Sequence, residues 1–243
     1  SPYDPEALPH LRHLVWSGAA MPRSWIAERI GGRVALSTCY GLTETTGSVT
    51  FTRPGATTDE LAETVGRPPN GDMLRIADAK GEHAAIGTPG EVQVRGALLM
   101  AGYLGNPQAS TESLTADGWL RTGDLGVLDG EGRLRLVGRL KEMFKSGGYN
   151  VYPREVEFVL ESHPAVAAAA VIAVPDPHWQ EVGWAFVIPR APVTAAELDA
   201  HVRGQLANYK VPKRYELALE LPLLPIGKID KQALRARAIA TKP

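Results

Sequence analysis

Near the end of the sequence, LPLLPIGKIDKQAL (221–234) contains a Gly-Lys pair, Gly227-Lys228. Gly-Lys is half of a phosphate-cradling signature that also needs a Gly five residues ahead and a Ser or Thr directly behind. Pro222 and Ile229 occupy those positions, so the stretch is not a P-loop. Lysine is still a compact point charge suited to stabilising an anion. Pro225 and Gly227 restrain the loop around Lys228, and Ile226 and Ile229 flank the pair.

Three further stretches carry chemistry-bearing residues. YGLTETTG (40–47) ends a strand-like run with a hydroxyl at Thr43 and a carboxylate at Glu44. The ends of strands in an open α/β sheet are where ligands bind. A threonine there can bond a phosphate oxygen, and a glutamate suits Mg²⁺, a hard ion that takes oxygen ligands. TGDLG (122–126) sets Asp124 between glycines just before a strand-like run. That carboxylate could accept both hydroxyls of a ribose, or the backbone of its own turn. GRLKEMFKSGGYNVYPREVE (138–157) carries Arg139, Lys141 and Lys145, then Gly147-Gly148. Paired glycines permit either close approach to a ligand or a tight turn. Taken singly, each stretch reads more simply as a turn or a solvated surface. His10 and His13 lack a third ligand nearby, and His178 falls in a loop. Glu155 and Glu161 read as helix-surface carboxylates, and Trp179 and Trp184 as packing residues.

The elements that must position these residues follow from periodicity. LRHLVW (11–16) and VALSTCYG (34–41) read as strands around a helix at 21–30, with Pro22 in its first turn. EVQVRG (91–96) alternates like a strand, and Asn106 can cap a helix over 106–114. GVLDGEGRLRLVG (126–138) reads as a hairpin about Asp129-Gly130. The later part predicts helix 153–164, strands 165–174 and 183–189, helix 194–212 with a Thr194/Glu197 capping box, strand 214–221 and a terminal helix. This is an α/β part followed by a small α+β part, with the break near 138–143.

Composition sets limits. A chain of 243 residues suits one or two domains. A net charge of −1 argues against a general nucleic-acid or membrane-surface role. Twenty-five Gly and 19 Pro exceed their average joint share of about 12%, which predicts many turns. The single cysteine, Cys39, forms no internal disulfide and reads as a small buried hydrophobe; a reducing cytosol is the natural compartment. The longest strongly apolar run, 165–174, is shorter than the ~20 residues of a membrane span, and no signal-peptide pattern is visible at the N-terminus.

Taken together and in this order, YGLTE, TGD, GRLKEMFKSGGYNVYPREVE and PIGKIDK resemble the adenylate-forming superfamily of acyl-CoA synthetases, peptide-synthetase adenylation domains and luciferases. The resemblance runs from SGAA at 17 to Asp230. It implies residues 1–138 as the C-terminal part of a large ATP- and acyl-binding domain and 139–243 as a small mobile domain. It implies a two-step reaction: a carboxylate and ATP give an acyl-adenylate and pyrophosphate, and coenzyme A then gives an acyl-CoA and AMP, with Mg²⁺ assisting. Position by position, Gly18, Ala19 and Ala20 match the turn lining the adenine and acyl pockets. Tyr40 matches the aromatic residue beside adenine, with Gly41 following it in the nucleotide site. Thr43 matches the phosphate contact, Glu44 the metal carboxylate, Asp124 the ribose carboxylate and Arg139 a second group near ribose. Lys141 falls at the hinge. Lys145, Gly147, Gly148 and Tyr149 match the loop of the thioester step, and Lys228 the lysine of the adenylation step.

Within the superfamily, GGYNVYPREVE favours an acid–CoA ligase, and the wording of the hinge and glycine loop is nearer to medium- or long-chain fatty-acid ligases than to acetate ligases. The alternatives are a peptide-synthetase-type adenylation domain or a non-catalytic nucleotide-binding fragment. The family's Ser/Thr/Gly-rich loop that grips the β- and γ-phosphates has no counterpart here, which implies the C-terminal portion of a longer enzyme. The 243-residue chain by itself is therefore expected to show no ATP–pyrophosphate exchange; exchange at an intact ligase's rate would refute this.

Overall fold

Strand β2 (Ala35–Leu42) lies between β1 (His13–Ser17), which runs parallel to it, and β3 (Gly47–Phe51), which runs antiparallel. The computed structural model describes residues 8–18, 20–21, 23–225 and 227–240; Ala19, Pro22 and Ile226 thus lie outside the described residues. Trp16, Ile26, Leu36 and Leu61 form one core where α1 (Arg23–Ala27) and α2 (Thr58–Glu63) cover β1 and β2. Helix α1 is shorter than the 21–30 predicted. Residues 28–30 close as a turn, with Ile30 N–H on the Ile26 carbonyl, and Gly31 at φ +80° ends the run.

A second sheet follows in the order β4 (Leu74–Ala77), β5 (Gly90–Val94), β6 (Leu120–Leu128), β7 (Leu134–Arg139). Helix α3 (Pro107–Glu112) starts as predicted, with Asn106 Oδ1 accepting the Ala109 N–H at 3.0 Å. The structure departs from two expectations in this sheet. Asp124 lies inside β6 rather than ahead of a strand. Gln93 pairs with Arg121 and Glu91 with Leu125, so Thr122–Asp124 bulge opposite Val92, with Gly123 at φ +70°. The β6–β7 connection is also not a two-residue Asp-Gly turn. It spans 129–133, because the Asp129 carboxylate accepts the N–H groups of Glu131 and Arg133, and the left-handed residue is Gly132.

The chain divides into two compact units, one ending at Leu136 and one beginning at Val137. The second opens with a hairpin that the sequence reading missed, β8 (Phe144–Ser146) and β9 (Tyr149–Val151). Its turn residues are Gly147 and Gly148, at φ +57° and +86°, the two left-handed positions that a tight hairpin turn demands. Then come α4 (Pro153–Ser162), β10 (Val166–Asp176), β11 (Gln180–Pro189), α5 (Ala195–Arg203), β12 (Arg214–Leu217) and α6 (Lys231–Ala240).

Strand β10 is apolar because both of its faces are covered. Ala169 and Val171 join Val156, Leu160, Leu198 and Val202 of α4 and α5. Ala170 and Ile172 join Leu234 and Ala238 of α6. Strand β11 alternates in the same way, with Ala185 and Val187 on the first face and Trp184 and Phe186 on the second. Each large aliphatic side chain so buried contributes about 1.5–3 kcal/mol. Helix α5 stops at Arg203 and Gly204 rather than at 212. Leu206 and Tyr209 still pack on the same core, but through a bend and a short 3₁₀ turn, Asn208–Lys210. Strand β12 ends at Leu217, where its parallel pairing with β11 ends.

The capping box is present: Glu197 carboxylate accepts the Thr194 N–H at 2.8 Å and Thr194 Oγ1 accepts the Glu197 N–H at 3.2 Å. Thr194→Ala is expected to cost about 1 kcal/mol, read as a lower urea midpoint. An unchanged midpoint would show that the cap adds nothing.

Candidate functional site

Ser17 pairs with Cys39 in the parallel β1–β2 ladder, so both strands end on one side of their sheet. Gly18 leaves β1 at φ +83°, and Ala20 beyond it is exposed; Ala19 lies outside the described residues. At the same end of β2, Tyr40 donates its hydroxyl to Asp124 Oδ2 at 2.8 Å. The two are 84 residues apart in sequence and only 7% and 5% exposed. A buried carboxylate demands donors, and it can accept more than one. Thr122 fixes the local backbone: its Oγ1 donates to the Val92 carbonyl at 2.6 Å and accepts the Asp124 N–H at 3.1 Å. Gly41 allows β2 and β3 to approach, since a Cβ there would stand 1.9 Å from the Gly47 carbonyl oxygen.

Thr43 and Glu44 occupy a 3₁₀ turn, Thr43–Thr45, directly after β2. Thr43 is exposed and Glu44 half-buried. Thr45, which the sequence reading passed over, is the buried residue that shapes this turn: its Oγ1 accepts the Leu42 N–H at 2.9 Å. Tyr103 was also missed. Its hydroxyl donates to Glu44 Oε1 at 2.9 Å, while Met100 N–H donates to the Glu44 carbonyl at 2.8 Å. No sequence signal links residues 59 apart in this way. Glu44 raises the Tyr103 pKa above the ordinary tyrosine value, first by accepting its hydrogen bond.

In the second unit, Arg139 ends β7 and Lys141 lies exposed in the 3₁₀ turn Leu140–Glu142. Lys145 is exposed on β8. Gly147 N–H donates to the Trp179 carbonyl at 2.9 Å, and the Trp179 ring occupies the space a Gly147 Cβ would need. Tyr149 stacks on Tyr209 with ring centroids 4.7 Å apart. Lys228 is exposed in the loop before α6. Its carbonyl accepts the Leu224 N–H at 2.7 Å, Gly227 turns at φ +78°, and Leu223 and Ile229 form a β-bridge. Among the described residues no hydrogen bond or ion pair engages the ammonium of Lys145 or Lys228, and none joins the two. Glu155 and Glu161, expected as plain surface carboxylates, are instead paired with Lys210 and Arg154. Trp184 packs in the core as expected, stacked on Phe186.

Cys39 is buried, accepting from Ser48 Oγ at 3.1 Å. Among the described residues there is no cluster of three His, Cys, Asp or Glu side chains able to cage a metal, and no helix long and apolar enough to cross a membrane. Glu44 offers one oriented carboxylate. That fits a Mg²⁺ ion taking its other ligands from substrate phosphates and water.

Two family models match the sequence: AMP-binding enzyme over residues 2–104 and AMP-binding enzyme C-terminal domain over residues 155–228. A 3-[(3aS,4S,7aS)-7a-methyl-1,5-dioxo-octahydro-1H-inden-4-yl]propanoyl:CoA ligase of Mycobacterium tuberculosis is 42% identical over 94% of this chain and 44% of its own length. A feruloyl-CoA synthase of Amycolatopsis is 40% identical over 95% of this chain and 47% of its own. Among solved structures, the amide bond synthetase of Marinactinospora thermotolerans superposes with a TM-score of 0.86 at 38% identity, covering 95% of this chain and 47% of that one. The chain spans about half the length of the curated relatives it matches.

The Tyr103–Glu44 bond is directly testable. Glu44→Gln removes the charge that holds the Tyr103 proton, so the Tyr103 phenol is expected to titrate at lower pH, towards the ordinary tyrosine value, by ¹³C NMR of the ring. An unchanged titration would break the link between these two side chains.

Proposed function

Because the chain belongs to the AMP-binding enzyme family, we propose that it forms the C-terminal part of an ATP-dependent acyl-CoA ligase. The observation that carries this reading is the buried Tyr40–Asp124 pair at the C-terminal end of parallel strands. It joins a ring able to lie beside adenine to a carboxylate able to accept ribose hydroxyls, and Thr43 and Glu44 follow in the next turn. Under this reading residues 1–138 belong to the nucleotide- and acyl-binding domain. Residues 139–243 are the small mobile domain, pivoting at Lys141, and Arg139 stands near ribose.

In the first half-reaction a carboxylate oxygen attacks the α-phosphorus of ATP and pyrophosphate leaves. Lys228 neutralises charge shared by the incoming carboxylate and the phosphoryl group, and Thr43 bonds a phosphate oxygen. Glu44 would hold Mg²⁺, which supplies further charge neutralisation at the phosphates. In the second half-reaction the thiol of coenzyme A attacks the acyl carbon, loses its proton, and AMP leaves. The hairpin of Lys145, Gly147, Gly148 and Tyr149 serves this step, with open space beside Gly148 for a pantetheine arm. Gly18, Ala20 and Gly41 are assigned to the nucleotide and acyl side; Ala19, given the same role from the sequence, lies outside the described residues.

The acid we propose is a hydrophobic carboxylic acid. The narrower fatty-acid form draws support from a long-chain-fatty-acid–CoA ligase of Thermus thermophilus at 39% identity. The feruloyl-CoA synthases, at 40%, weigh equally for an aryl acid. A second reading, an amine in place of the thiol, is favoured by the likeness to the amide bond synthetase. Dependence of AMP release on coenzyme A separates the two. The single buried Cys39 suits a reducing compartment such as the cytosol.

In the enzyme that contains this chain, Lys228→Ala is expected to slow adenylate formation by about 10²–10³-fold and to spare thioester formation from supplied acyl-adenylate. Equal loss of both steps would overturn the assignment of Lys228. Gly148→Leu is expected to do the reverse, with pyrophosphate exchange kept and coenzyme A turnover lost. Normal coenzyme A turnover in that variant would remove the role given to the glycine hairpin.

A further inference from the structure

Lys231 opens α6, three residues after Lys228. Its ammonium bonds two carboxylates, Glu142 Oε2 at 2.6 Å and Glu157 Oε1 at 2.8 Å. Glu142 directly follows Lys141. Glu157, on α4, has a side chain only 4% exposed, and its Oε1 also accepts the Val171 N–H of β10 at 2.9 Å. Arg154 extends the chain of charges, contacting Glu157 at 3.3 Å and Glu161 at 3.0 Å while lying over the Phe158 ring. The network thus runs from the turn beside Lys141, through the middle of the second unit, to the first residue of α6.

We propose that Lys231 is a positioning residue that ties the segment around Lys141 to the loop of Lys228, so that this loop is held in register with the pivot. The inference rests on the roles given to Lys141 and Lys228 above. The local geometry favours it. The Asp230 carboxylate caps α6 on the N–H groups of Gln232 and Ala233, at 2.9 and 3.0 Å, and Asp230 N–H closes the loop on the Pro222 carbonyl at 2.8 Å. The loop is therefore stitched to the start of α6, and Lys231 anchors that start to Glu142 and Glu157. An exposed lysine on a free loop would sample many positions. One whose loop is fixed at its base by a largely buried ion network samples few, which is what preorganised charge stabilisation requires. A purely structural ion pair could have sat anywhere on the unit. This one joins the turn that bears Lys141 to the start of the helix that follows the Lys228 loop.

Glu142→Gln is the cleaner variant, because it reduces the ion pair to the turn to a weaker neutral hydrogen bond while Lys231 still neutralises the buried Glu157. Lys231→Met removes both bonds and leaves Glu157 facing Glu142, and Lys231→Arg restores the charge. Amide hydrogen exchange on the 243-residue chain reads the coupling without any activity. In Glu142→Gln the Leu224, Gly227 and Asp230 amides are expected to exchange about tenfold faster, with β10 and β11 amides unchanged and Lys231→Arg close to the parent. Unchanged exchange in the loop, or an increase spread equally over β10 and β11, would overturn the proposal. In the enzyme that contains this chain, Glu142→Gln is expected to lower adenylate formation while leaving thioester formation from supplied acyl-adenylate intact. Equal slowing of both would reduce the network to a structural one. Failure of the exchange test fails the coupling alone, whereas adenylation that ignores Lys228→Ala fails the functional reading on which it rests.

Discussion

Tyr40 and Asp124 share a hydrogen bond almost closed to water, and the first unit is arranged to keep it so. A buried carboxylate left without its donor costs about 1–3 kcal/mol or more. The strands bearing the two groups therefore have to hold a fixed relation. A common core of Tyr40, Val49, Leu74, Ile76, Val92 and Leu134 supplies it by packing β2 and β3 against the second sheet. The bulge at Thr122–Asp124 supplies the rest, because an unbroken strand would not give the three residues opposite Val92 their local turn. Gly126 completes the fit, since a Cβ there would meet Leu134 and Val92 at under 3 Å.

The second unit solves a different problem. Its two long strands are covered on both faces, so their backbones and apolar side chains leave no room for charge in the middle of the sheet. The charged groups are placed at the margins, where short turns and helix starts meet. Glu157 is the exception that shows the rule: it is buried, and it has a backbone N–H, an arginine and a lysine around it. Such a carboxylate does not float between partners. It fixes α4, β10 and the start of α6, which the loop carrying Lys228 leads into.

Much of the local structure is legible from short-range chemistry. Asn106 caps α3, the Thr194–Glu197 box opens α5, and Pro153 opens α4, because each signal acts within one helical turn. The misreadings share a cause. The apolar spacing of Leu198, Val202 and Leu206 reports a common core and not a common helix, and the chain bends after Gly204 while still burying Leu206. Asp129-Gly130 has the residues of a two-residue turn, yet the Asp129 carboxylate organises a longer loop by binding two backbone N–H groups. Gly147-Gly148 reads as a ligand-approach or turn signal, and which of these it is follows only from the pairing of β8 with β9.

The order of YGLTE, TGD, the glycine loop and PIGKIDK determines the family from sequence alone, because each motif records a local backbone or side-chain requirement at its own position. Tertiary structure alone decides that Tyr40 meets Asp124, that Tyr103 holds Glu44, and that Lys231 joins Glu142 to Glu157. The partners in all four contacts lie 59 to 89 residues apart. Hydrogen bonds and ion pairs act over a few ångströms of space, and no spacing along the chain encodes which distant strands and turns the packing of the cores will bring that close.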